Sequence, residues 1–183
     1  TSWTQRLVSG PSNRSYHAMA YDSARGVTVL FGGSTEVSQK NNETWEWDGA
    51  TWSLRATTGP SPRFAAAMCF DTVRERVQLS GGRLEIGTSN ELWEWDGTSW
   101  TLRPAANARP LASHAMVFDP DRRSLVVVGS DPTEIGPLLF DGTSWKAAEN
   151  TSAPVGSMLS LAENPAAGTL IAIGPPRVEP RAN

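Results

Sequence analysis

The chain writes one block three times, and no other feature restricts its fold so tightly. An aromatic residue before aspartate is followed by a hydrophobic run ending in glycine, then by a segment closing in Asp-Gly-x-x-Trp. The first copy reads Tyr21-Asp22, Val29-Leu30-Phe31-Gly32-Gly33 and Trp47-Asp48-Gly49-Ala50-Thr51-Trp52. The second reads Phe70-Asp71, Leu79-Ser80-Gly81-Gly82 and Trp95-Asp96-Gly97-Thr98-Ser99-Trp100. The third reads Phe118-Asp119, Val126-Val127-Val128-Gly129 and Phe140-Asp141-Gly142-Thr143-Ser144-Trp145. Trp3, Trp52, Trp100 and Trp145 stand 49, 48 and 45 residues apart, while Asp22, Asp71, Asp119 and Glu163 stand 49, 48 and 44 apart. Two independent markers keep one period and shorten together in the last copy.

A unit of about fifty residues holding several short β-type runs has the length of a four-stranded propeller blade, not of a helical repeat of roughly 33 to 47 residues. In the first copy the strands are expected at 17–21, 27–31, 44–47 and 51–55, each short and bounded by turns. Asp48-Gly49 is a strong hairpin signal, and Gly26 stands where a turn needs positive φ. No stretch repeats apolar residues at i, i+3, i+4, i+7 over three turns, and 13 prolines with 16 glycines interrupt any long helix.

The order His-Ala-Met-x-Tyr-Asp, hydrophobic run, Gly-Gly, Trp-x-Trp-Asp-Gly, Trp resembles the kelch repeat, especially its bacterial form, over nearly the whole chain. The glycine doublet with a tryptophan a dozen residues later occurs as Gly32-Gly33/Trp45 and as Gly81-Gly82/Trp93. The third copy departs: the doublet is Gly129-Ser130, and Leu138 and Phe140 replace the two tryptophans. The resemblance implies an all-β chain, a β-propeller of kelch-type blades at about 11–55, 60–103 and 109–147. A partial fourth blade is expected at 154–174, with Pro175-Pro176 ending the pattern. Ser2-Trp3-Thr4-Gln5-Arg6 matches a fourth strand, so residues 2–6 or another chain would complete that partial blade. Residues 1–176 form one repeat domain on this reading, followed by a polar tail at 177–183. Three forms stay open: a compact four-bladed ring, part of a longer propeller, or two copies meeting end to end, as in a homodimer. Propellers use about four to eight blades, and an open arc would expose strand edges and apolar faces.

The 183 residues suffice for one sizeable core, and a net charge of −3 without a basic cluster speaks against nucleic acid or a membrane surface as partner. Cys69 is the only cysteine and lies in an apolar run, so it is expected as a small buried side chain, and no disulfide forms within one chain. Neither a secreted, periplasmic nor a cytoplasmic compartment is excluded. The sequence starts at Thr1 and shows no signal or transmembrane segment. Asn13-Arg14-Ser15, Asn42-Glu43-Thr44 and Asn150-Thr151-Ser152 fit the short glycosylation tripeptide.

Phosphate-binding glycine loops, a Gly-x-Ser-x-Gly elbow, paired histidine ligands and Cys-x-x-Cys are all missing from the sequence, so no cofactor or metal is expected. Gly32-Gly33 and Gly81-Gly82 end strands with no helix after them, which reads as backbone packed against the next blade. His17 and His114 share one repeat position, filled by Ala66 and Met158 in the other copies. Equivalent positions approach the axis of a ring, where histidines can pair or serve structure. Arg14 and Arg63 stand three residues earlier, able to grip a carboxylate or to tie down loop carbonyls. Trp45, Trp52, Trp93, Trp100 and Trp145 recur in register and read as inter-blade packing, while alternation sets Trp47 and Trp95 on the strand face opposite Glu46 and Glu94, which are expected to turn to water.

Function in a repeat fold is sought where the copies differ. The connections at 34–43, 83–91 and 130–137 vary in length and carry Glu36, Lys40, Asn41 and Asn42, then Arg83, Glu85 and Asn90, then Asp131 and Glu134. Kelch resemblance implies that such loops crown one face and meet a protein or glycan, which makes a non-catalytic binding module the leading expectation. The other is an enzyme similar to sialic-acid mutarotases or the galactose-oxidase propeller, with Arg14, His17, Arg63 and His114 near the axis. Copper chemistry is disfavoured because Tyr16 and Tyr21 lie in one strand.

Overall fold

The computed structural model describes residues 4–5, 7–35, 39–129 and 137–148, and the backbone alone of 160–164 and 169–173. Among these residues there are strands and turns and no helix. A two-stranded pair, β1 (Arg14–Ser15) and β4 (Ser34–Thr35), sits beside the first of three four-stranded antiparallel sheets. That sheet holds β2 (Ala18–Asp22), β3 (Val27–Phe31), β5 (Thr44–Trp47) and β6 (Trp52–Ala56) in chain order. The second holds β7 (Ala67–Asp71), β8 (Arg76–Ser80), β9 (Leu92–Trp95) and β10 (Trp100–Arg103). The third holds β11 (Ala115–Asp119), β12 (Ser124–Val128), β13 (Leu138–Phe140) and β14 (Trp145–Ala147). A hairpin of β15 (Ser160–Asn164) and β16 (Thr169–Ile173) follows. The chain is thus all-β, a series of antiparallel meanders of the kind that forms blades. The strands expected in the first copy are present, the outer two shifted by one residue.

The aspartates of the repeat build its turns. Asp22 Oδ1 accepts hydrogen bonds from the Ala24 and Arg25 amides at 3.1 and 3.0 Å, and its other oxygen receives Arg25 Nε at 2.7 Å. Asp71 and Asp119 pair in the same way with Arg74 at 3.0 Å and Arg122 at 2.6 Å. Asp48, Asp96 and Asp141 accept turn amides in the second hairpin of each sheet. A carboxylate that satisfies two turn amides fixes where each strand stops, and hence the register.

The sheets stack through faces of unequal bulk. Ala18 and Ala20 of β2 turn toward the second sheet and pack against Met68, Val77, Leu79 and Trp95, together with Val29 and Phe31. Ala67 and Cys69 repeat the small face, packing against Met116, Phe118, Leu125, Val127 and Phe140 of the third sheet. Each first strand therefore alternates small residues on one side with large ones on the other, and the two sides interlock. β2, β7, β11 and β15 pack one against the next in that order.

A glycine doublet closes the first two boundaries. Gly32 and Gly33 have φ of 67° and 97°, and Gly33 N donates to the Arg63 carbonyl of the following sheet at 2.9 Å. Gly81 and Gly82 repeat this at 65° and 99°, with Gly82 N donating to Leu111 O at 2.7 Å. Beside them runs a second backbone chain, Ser113 N to Ala65 O and Ala65 N to Tyr16 O, both at 2.8 Å. It holds Tyr16, Ala65 and Ser113 in the left-handed region at φ of 55°, 56° and 57°.

Of the expected closing strand, Ser2, Trp3 and Arg6 lie outside the described residues, while Thr4 and Gln5 are exposed and belong to no strand. The tail at 177–183 also lies outside them. A side chain at Gly81 would place its Cβ 2.2 Å from the Leu111 carbonyl, whereas one at Gly26 meets nothing within 4 Å. Gly81→Ala is therefore expected to lower unfolding stability by at least about 3 kcal/mol, and Gly26→Ala, which suffers only its left-handed φ, by about 1 kcal/mol. Urea titration of both variants checks the ratio.

Candidate functional site

The two arginines singled out in the sequence are built into the sheet boundaries. Arg63 has a fully buried side chain, and its guanidinium donates to Ser61 O, Gly81 O and Ser89 Oγ, each at 3.0 Å. A 2.6 Å ion pair joins it to Glu91, which also accepts the Trp93 indole N–H at 3.0 Å. Arg14 repeats the pattern with Gly32 O at 3.1 Å, Glu43 at 2.7 Å and the Trp45 indole on Glu43 at 2.9 Å. Burial pushes the pKa of Glu43 and Glu91 up, but the arginine and indole hydrogen bonds outweigh it and hold both carboxyls below their ordinary value. These guanidiniums spend their donors on their own chain and are not presented to solvent.

The two histidines differ although they share a repeat position. His114 is 6% exposed, packed with Cε1 close to Gly81 of the preceding sheet, and neither ring nitrogen has a hydrogen-bond partner among the described residues. Burial alone pushes its pKa down to about 4. His17 is exposed and is lowered chiefly by partial desolvation, with the Arg14 charge acting the same way and a backbone hydrogen bond opposing. His17 lies against Gly33 of its own sheet and His114 against Gly81 of the preceding one. Cys69 is buried and free, and desolvation raises its thiol far above the ordinary range. Among the described residues no three His, Cys, Asp or Glu side chains gather in a metal-binding group.

Glu46 corrects a reading of the strand pattern. It does not turn to water: it is buried, accepting the Trp95 indole N–H of the next sheet at 2.9 Å and pairing with Arg25 at 2.7 Å and Arg55 at 3.3 Å. Trp100 likewise donates to Thr44 Oγ1 across the same boundary at 2.8 Å. Glu94 is half-buried, held by Gln78 Nε2 at 2.9 Å and by Arg103 at 3.5 Å. Alternation identifies the face a residue takes, but here the second face is covered too, by the following sheet.

The loops between second and third strands do come together. Asn41 N donates to Gly33 O at 3.0 Å and Asn41 O accepts Arg63 N at 3.2 Å; Ser89 makes the equivalent pair with Gly82 and Leu111 at 2.9 and 3.1 Å. Each loop is thereby pinned to its own sheet and to the next. Lys40 reaches across to Glu85 at 2.8 Å and stands 5.8 Å from the Phe64 ring centroid. Between them lies an open groove of about 690 Å³, lined by Gln39, Lys40, Ser61, Pro62, Leu84, Glu85 and Ile86. Ile86 is 91% exposed at its rim. Asn42 bonds Thr57 O at 2.8 Å, Arg83 exchanges backbone bonds with Phe64, and Asn90 is exposed. Glu36, Asp131 and Glu134 lie outside the described residues. The sequence reading passed over Leu84 and Ile86, although two aliphatics flanking a glutamate in a polar loop were a legible signal.

No protein-family model matches the chain, and no curated protein matches it in sequence.

The His114 shift has a definite sign. Its folded value lies below the ordinary 6.5, so its contribution is complete above pH 6.5 and is lost as pH falls toward 4. A loss of about 3 kcal/mol over that window is expected, with a smaller loss of the same sign from His17. His114→Met, which places there the residue of the fourth copy, is expected to flatten the slope between pH 6.5 and 4.5. Denaturant midpoints across that range measure it.

Proposed function

We propose that the chain is a kelch-type propeller module without catalysis of its own, binding a protein or glycan partner through its inter-strand loops. The observation that carries this reading is the groove between the first and second loops, with Ile86 standing almost wholly in water beside Leu84 and Pro62. A large aliphatic side chain so exposed on a pinned loop serves contact better than stability. The Lys40–Glu85 pair rims the groove with both charges, a polar edge around an apolar centre. That composition favours a protein surface over a sugar, because among the described residues no aromatic ring lines the groove as a stacking platform. The enzyme alternative gains nothing from Arg63 and His114, both closed within the sheet stack.

Ile86→Asp and Glu85→Lys change only exposed loop atoms and leave the sheets intact. Both are expected to keep the wild-type Tm while losing at least about tenfold in affinity for whatever the wild type binds. The comparison runs on a printed glycan panel and on protein ligands trapped by a photo-crosslinker at position 86. Retention of every wild-type ligand by both variants would remove the loop-face assignment.

A further inference from the structure

The first sheet has one face that its equivalents do not. Met19 is 43% exposed where Met68 and Met116, at the same repeat position, are 8% and 6%. Tyr21 is 59% exposed where Phe118 is 3%. Trp47 is half-covered where Trp95 is wholly buried, and His17 is exposed where His114 is buried. Leu30, the cross-strand partner of Met19, is buried. All of these differences point to the side away from the second sheet. The second and third sheets have a preceding sheet there, whereas β2 packs only on its other side among the described residues.

We propose that this face docks one further four-stranded sheet of the same repeat, one that presents a carboxylate to the Trp47 indole and a hydroxyl to Trp52. The proposal concerns assembly and does not rest on the loop-face reading. The boundary between the first and second sheets supplies the chemistry. There the large face of the second sheet meets small residues, the Trp95 indole donates to Glu46 and the Trp100 indole to Thr44. Arg25 and Arg55 hold Glu46 in place, and Arg55 also donates to Gly97 O at 3.3 Å. Trp47 and Trp52 are packed together with their rings tilted, centroids 5.5 Å apart, as Trp95 and Trp100 are at 5.4 Å. The first sheet therefore presents the same donor pair in the same arrangement, with large residues beside it.

The chain's own described sheets do not provide the complement to a second copy. Glu46 is taken by Trp95, Glu94 lies at the boundary with the third sheet on Gln78, and the third sheet carries Leu139 at that position. The occupant is a blade with its own Thr-x-Glu third strand and small-residue first strand.

The test extends the full chain by a copy of residues 11–49 placed ahead of Thr1. Its Trp-Asp-Gly then runs into Thr1-Ser2-Trp3 as Asp96-Gly97 runs into Thr98-Ser99-Trp100. In the added copy Met19→Ser and Tyr21→Ser keep the new outer face polar and leave one Met19 and one Tyr21 to follow by peptide mass spectrometry. Peroxide oxidation of Met19 is expected to slow about fivefold, the ratio of its exposure to that of Met68, Tyr21 nitration to fall, and Tm to rise. Glu46→Ala in the added copy alone is expected to reverse part of the Tm gain. Unchanged Met19 and Tyr21 reactivity overturns the proposal, as does failure of the extended chain to fold, because a fitting sheet stabilises its neighbour. A doubled mass of the unextended chain, abolished by Tyr21→Asp, overturns it in favour of a second copy.

Discussion

The sheet-to-sheet hydrogen bond from the second glycine of each doublet is the contact on which the rest depends. Gly33 to Arg63 and Gly82 to Leu111 tie a strand end to the entry of the following sheet, beside a first glycine whose left-handed conformation leaves no room for a side chain. Because the bond joins backbones, it sets the spacing of the sheets without regard to which side chains stand nearby. Small and large faces can then interlock at a constant distance, and the loops after the doublets are carried to one end of the stack.

Around that fixed spacing the side chains vary as linked sets. Arg14 with Glu43 and Trp45, and Arg63 with Glu91 and Trp93, are ion pairs capped by an indole. In the third copy all three positions change, to Leu111, Gly136 and Leu138. A buried guanidinium without its carboxylate would be costly, so the set leaves as a unit. Glu46 and Glu94 show the same economy. The first receives an indole from Trp95; the second, for which the third sheet has Phe140 and no indole at the equivalent position, is met instead by Gln78, where the first sheet has Val29.

A site on such a scaffold has to lie outside what the repeat already employs. Arg63 and His114 looked chemical because they are polar residues at repeat-equivalent positions near the strand entries, yet both are enclosed by neighbouring sheets. The loop groove is legible as a location: the sequence marks 34–43 and 83–91 as variable, with Lys40 in the first and Glu85 between two aliphatics in the second. That Lys40 reaches Glu85, and that Ile86 stands in water rather than folding under its loop, depends on two loops 45 residues apart being pinned to a shared boundary.

The period, the four strands per copy, the turns at Asp-Gly and the crossing glycine doublets follow from the sequence itself, since each rests on local backbone preference repeated at a fixed interval. Which polar residues are structural was decided by tertiary contact. Glu46 reads as a water-facing strand residue because alternation describes a single sheet; it is buried because the next sheet lays an indole over it. His17 and His114 read alike and end in opposite environments, because burial belongs to the neighbour that covers a residue and not to the residue.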